Sequence, residues 1–171
     1  HRALALRPDH VASLVNVSLA EARLGRLAEA ETALRQAIRV APGEASAHFN
    51  LGLLLAERGQ PAEAGQALRR ALGLDPRHAA AAYNLAVLLA ESAPEEAVAL
   101  AGRASALAPQ EPRYALARAF FLEQAGDEAR AERVLRDLVA RHPECRDGRA
   151  ALDAFVERRA GPRGEKPRRE H

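Results

Sequence analysis

Residues 45–76, ASAHFNLGLLLAERGQPAEAGQALRRALGLDP, carry two helices and the turn between them. The second half closes on the apolar pattern Ala71, Leu72 and Leu74, with Pro76 two residues further on. Proline lacks an N–H and restricts the residue before it, so a helix stops there. Midway through the stretch stands Gly59, in Arg58-Gly59-Gln60. A glycine just past a helix permits the left-handed conformation that closes the last turn. The segment therefore reads as a helical hairpin.

The same punctuation recurs along the chain. Prolines fall at Pro8, Pro42, Pro76, Pro109 and Pro143, at intervals of 34, 34, 33 and 34 residues. Ala3, Leu4 and Leu6 precede Pro8 as Ala37, Ile38 and Val40 precede Pro42. Gly25 and Gly126 occupy the place of Gly59 in their own units. A fixed period of this size means stacked supersecondary units, each burying its apolar face on the next. Strand formers are scarce and no window alternates with period two, so the fold class is all-α.

Within residues 45–76, Asn50-Leu51-Gly52, Gly59, Ala64, Leu68, Ala71 and Pro76 stand at the relative positions used by the tetratricopeptide repeat family, and the segment closely resembles it. Asn16-Val17-Ser18 with Gly25, Ala30, Leu34, Ala37 and Pro42 is similar, as is Asn84-Leu85-Ala86 with Ala97, Ala104 and Pro109. The resemblance implies an α-solenoid of stacked antiparallel hairpins in a right-handed superhelix. It divides the chain into the end of a truncated upstream repeat (1–8), four repeats (9–44, 45–78, 79–111 and a divergent 112–144), a capping helix (145–160) and a disordered tail (161–171). Since Ala3 to Pro8 match the end of a second helix, at least one further helix is expected upstream. Small residues at Ser18, Gly52, Ala86 and Ala119 face Ala30, Ala64, Ala97 and Ala131, which lets paired helices approach closely.

Departures from the pattern are informative. The third unit is one residue short at its turn, where Ser92-Ala93-Pro94 replaces the glycine, so its helices should meet with altered geometry. The fourth has Arg118 where leucine is expected, Leu138 where a small residue is expected, and Arg141 where an apolar residue is expected. Such drift suits an array end, and Leu152, Phe155 and Val156 supply the apolar side of a capping helix.

In this family the first helices line the concave side, and extended or helical peptides lie there. The corresponding positions are Val15 and Leu19, Phe49 and Leu53, Tyr83 and Val87, Leu116 and Phe120, all apolar or aromatic, expected to form a continuous stripe. Beside them run Asn16, Asn50 and Asn84, whose amides can complement a peptide backbone. Three amides contribute only a few kcal/mol at about 0.5–1.5 kcal/mol each, so the apolar stripe must supply most of the affinity. Relatives that grip a terminal carboxylate use lysine and asparagine where this chain has Val15 and Leu19, or Phe49 and Leu53. The expected partner is a protein or peptide with apolar side chains; the alternative is that the stripe covers a second copy of the chain or another part of the same protein.

Composition narrows the remaining classes. The 25 basic and 23 acidic residues are spread through every segment, the pattern of solvated helix faces, so no nucleic-acid partner is expected. Apolar runs such as Leu51 to Ala56 are far short of a membrane span. Cys145 is the single cysteine, which excludes an internal disulfide, and no two histidines share the four-residue spacing of a helical metal site. No phosphate loop or nucleophile elbow appears, so neither a catalytic residue nor a cofactor is expected. Carboxylate pairs such as Glu95 with Glu96 and Glu128 with Glu132 read as solvated or arginine-paired surface. Arg113-Tyr114-Ala115-Leu116 followed by Phe120-Phe121-Leu122 resembles terminal repeats of bacterial multihaem cytochrome systems, which implies, as an alternative to a scaffold, a non-catalytic accessory segment of a larger bacterial protein. Compartment stays open between cytoplasm and periplasm.

Overall fold

A computed structural model describes the backbone of residues 8–160. The truncated upstream repeat, apart from Pro8, and the expected C-terminal tail lie outside the described residues. Among the described residues nine helices follow in order: α1 Pro8–Arg23, α2 Leu27–Val40, α3 Ala45–Glu57, α4 Pro61–Leu74, α5 Ala79–Leu89, α6 Pro94–Leu107, α7 Pro112–Gln124, α8 Glu128–Arg141 and α9 Arg146–Ala160. They pair as antiparallel hairpins α1–α2, α3–α4, α5–α6 and α7–α8, and α9 closes the stack. No strand occurs among the described residues.

Three turns share one construction. Gly25, Gly59 and Gly126 adopt φ of 75°, 71° and 77°. In the second hairpin, the Gly59 N–H donates to Ala56 O at 3.0 Å and the Gln60 N–H to Leu55 O at 2.9 Å. These two bonds satisfy carbonyls that the end of α3 would otherwise leave unpaired. The third turn has no such glycine; there the Ala93 N–H donates to Leu89 O at 2.8 Å, and α5 is only 11 residues long.

Close approach inside each hairpin rests on small residues. Ala30, Ala64, Ala97 and Ala131 are wholly buried, and Ser18, Gly52, Ala86 and Ala119 nearly so. At Gly52 the approach leaves no room for a side chain, since an added Cβ would stand 2.7 Å from Leu68 Cγ and 3.3 Å from Ala64 O. Leucines fill the space within and between hairpins, with Leu34, Leu55, Leu68, Leu85, Leu122 and Leu135 all buried. Aromatic residues are too few to do so, as composition implies.

The surface of the outer helices is laced by ion pairs. Arg35 on α2 reaches Glu63 on α4 at 3.4 Å, and Arg69 on α4 reaches Glu96 on α6 at 3.1 Å. Helix α9 seals the C-terminal end through Phe155, 3% exposed, with Arg158 bonded to Glu123 at 2.6 Å and Arg159 to Glu132. Leu152 is half-buried, whereas Val156 turns outward, so the cap's apolar side is narrower than its composition suggested. Cys145 is partly buried and its Sγ accepts the Gly148 N–H at 3.4 Å, in the manner of a helix cap.

Candidate functional site

The first helices of neighbouring hairpins touch at α1–α3 and α3–α5, and α7 touches α9. This close packing places them on the inner side of the curve. Helices α5 and α7 approach less closely. Side chains bridge them instead: the Tyr83 and Tyr114 rings lie 5.0 Å apart, tilted by 44°. The guanidinium of Arg113 stands 4.9 Å from the Tyr114 ring centre and 5.8 Å from that of Tyr83, a cation–π arrangement over both faces. Arg113 also donates to Tyr114 Oη at 3.1 Å and pairs with Glu111 at 3.4 Å, so its charge is already engaged.

Between these helices opens a groove of about 520 Å³. Tyr83, Val87 and Ala90 form one wall; Arg113, Leu116, Ala117, Phe120 and Phe121 form the other. Its open side is unusually apolar for a surface, because Val87 is 50% exposed and Phe120 54%. Phe120 leans edge-on against Phe121, whose ring is buried and fixes it from below (5.7 Å, 65°). Four of the sequence-predicted residues, Tyr83, Val87, Leu116 and Phe120, thus meet in one groove.

The N-terminal part of the stripe is different. Val15 is 9% exposed and belongs to the core with Val11, Ala30, Leu34 and Ala47, so it is not available to a partner. A valine is too short to reach past the seam where α1 meets α3, whereas its counterparts Phe49 and Tyr83 are long enough. Phe49 is half-buried and its ring centre lies 4.5 Å from that of His78, while Leu53 is half-buried and Leu19 exposed. The stripe is therefore interrupted at its N-terminal end.

The amide column also takes a more local form than expected. Asn50 Nδ2 donates to Ser46 O and Asn84 Nδ2 to Ala80 O, each at 2.8 Å. Each side chain bonds the carbonyl one turn back on its own helix, which uses one N–H and leaves the oxygen. Asn16 is exposed. The residues that sequence reasoning missed are Arg113, Ala90, Ala117 and Phe121.

Comparisons with known proteins agree with the architecture. Profiles described as "Tetratricopeptide repeat" match residues 1–39, 18–78 and 113–144, together more than half of the chain. No curated protein sequence matches. Among solved structures, MamA (residues 41 to the end) from Desulfovibrio magneticus RS-1 superposes with a TM-score of 0.76 at 20% identity, over 89% of this chain and 86% of that one. PilF from Pseudomonas aeruginosa gives 0.68 at 23% identity, over 91% and 78%. An O-GlcNAc transferase from Thermobaculum terrenum gives 0.68 at 27% identity, over 78% of this chain but only 26% of that one. With 260 solved chains matching, likeness of this kind establishes fold rather than a particular task. The repeated hairpins, the buried small-residue pairs and the profile matches agree: the chain belongs to the tetratricopeptide repeat family, and its architecture is that of a protein–protein interaction scaffold.

Proposed function

We propose that this chain is a non-catalytic scaffold that holds an apolar segment of a partner protein in the groove between α5 and α7. The observation that carries the reading is the exposure of Val87 and Phe120 side by side above half-buried Tyr83 and Leu116. Contiguous apolar surface of this kind marks an interaction site. Full burial of such a side chain stabilises by about 1.5–3 kcal/mol, and roughly half of that remains to be gained at Val87 and Phe120. Asn84, beside them, keeps its side-chain oxygen for a partner's backbone N–H. Asn16, Leu19, Phe49, Asn50 and Leu53 extend the surface toward α1 for a longer ligand. Micromolar affinity, about −8 kcal/mol, suits such a contact.

A second copy of the chain is the competing occupant, because α1 exposes Val17 and Leu19, and the turn after it Leu24, at the other end of the stack. The match to about a quarter of an O-GlcNAc transferase supports a further reading, in which this solenoid is the accessory module of a larger protein. Photo-crosslinking separates partner from copy. With a benzoylphenylalanine at Phe120, irradiated cells should yield adducts to an apolar segment of another protein, and Tyr83→Ser should reduce them. Adducts formed equally from a probe at Gln66, on α4, would remove the groove from the account. Dimer-sized adducts alone would assign the groove to self-association.

A further inference from the structure

The second candidate surface lies on the outer side, where the repeat pattern breaks. At the first two junctions the residues facing the preceding outer helix are Leu51 and Leu85, both buried. In the same register α7 carries Arg118. The rung formed by Arg35 with Glu63 and by Arg69 with Glu96 is also lost, because the equivalent residues at the third junction are Gly102 and Arg130. Those changes meet in space. A Cβ on Gly102 would stand 3.3 Å from Arg118 Nε and 3.5 Å from Cζ, so the missing side chain at 102 is what seats the guanidinium.

Arg118 Nε is shielded from solvent and has no acceptor among the described residues. It borders a cavity of about 590 Å³ between α6, α7 and α8, with Val98 and Leu122 in its walls. The cavity's other cation, Arg130, is held by Asp127 at 2.5 Å. Glu95 borders the cavity as well but forms no ion pair with Arg118. The shielded Nε is out of a ligand's reach, so a carboxylate meets the terminal N–H groups of this partly exposed side chain, whose fork is shaped for it.

We propose that this outer cavity binds a monoanionic carboxylate on a short apolar stem, with Arg118 receiving the carboxylate and Val98 and Leu122 the stem. With Asp127 paired to Arg130, the lining residues leave one positive charge, Arg118, beside one negative charge, Glu95, which suits a single negative charge better than a multivalent anion such as phosphate. The proposal is independent of the α5–α7 groove and stands or falls without it. A free short-chain acid and a glutamate side chain of a partner share this chemistry.

The test follows the arginine Nε–H resonances of the 15N-labelled chain, with Arg118 assigned by its loss in Arg118→Leu. Titration with butyrate or with N-acetylglutamate N-methylamide should move the Arg118 signal saturably, while butyramide leaves it in place. Response to butyrate alone assigns a free acid; response to the capped glutamate assigns a partner's side chain. Arg118→Leu restores the residue of the other junctions and should abolish binding. Gly102→Ala, which displaces the guanidinium, should weaken it by roughly tenfold, the loss of one charge-assisted bond. Equal response to butyramide, tighter binding of phosphate, binding retained in Arg118→Leu, or a ligand-free shift of the Arg118 signal on Glu95→Gln would each overturn the proposal.

Discussion

Replacing Gly52 and Gly73 by alanine, one at a time, puts opposite physical terms on two helices of a single hairpin. Both glycines are helical, so each alanine gains up to about 1 kcal/mol of helix propensity. At Gly73 the added methyl meets nothing within 4 Å and the residue is exposed, so the gain is kept. At Gly52 the methyl would stand 2.7 Å from Leu68 Cγ and 2.9 Å from Cδ2, and Leu68 is itself fully buried. Moving that side chain or spreading α3 from α4 costs about 1–3 kcal/mol. The net expectation is a loss of about 1 kcal/mol for Gly52→Ala and a gain approaching that for Gly73→Ala. Urea unfolding followed by circular dichroism would read the two shifts in midpoint, with equal m-values confirming comparable transitions. Equal stability of the two variants would refute the claim that small residues set the helix spacing.

Phe155→Ala should cost about 3 kcal/mol, and hydrogen exchange should locate the loosening in α7 to α9 while α1 to α4 stay protected, as nearest-neighbour coupling in a solenoid requires. A double-mutant cycle on Arg69→Ala and Glu96→Ala should give a coupling below about 1 kcal/mol, because both side chains are about half exposed; a larger coupling would make the outer ladder a principal source of stability. Asp127, at the start of α8, is held below its ordinary value of 3.8, chiefly by the hydrogen bond from the Arg130 side chain and next by that from the Arg130 backbone N–H. Its stabilising effect is therefore complete above 3.8 and lost as pH falls through the lower folded value. Carbon-13 titration of the Asp127 carboxyl should show the midpoint rising toward 3.8 in Arg130→Ala.

Legibility in the sequence followed the range of the interaction. Pro42, Pro76, Pro109 and Pro143 and the turn glycines act within a few residues of backbone, and the helices end where those residues say they should. Ala30, Ala64, Ala97 and Ala131 recur at repeat spacing and are all buried, because close helix pairing needs the same small residue in each unit. The site was legible only in part. Val15 was assigned to the groove by register, yet burial depends on side-chain length against the α1–α3 distance, which no local pattern carries. Asn50 and Asn84 were assigned outward roles, but a carbonyl one turn back is always nearer than a partner. Arg118 was visible as a misfit; that Gly102 compensates it required seeing α6 and α7 together.

The central claim is that the apolar surface between α5 and α7 is kept open for another protein. The most direct measurement captures partners from the source organism with the native chain and with Val87→Ser/Phe120→Ser in parallel, and checks both by circular dichroism and sedimentation. Both substituted side chains are about half exposed, so the fold should be unchanged and the chain monomeric, while partner recovery should fall by about tenfold for each kcal/mol and a half of apolar burial removed. Unchanged recovery of every partner by a folded variant would contradict the account.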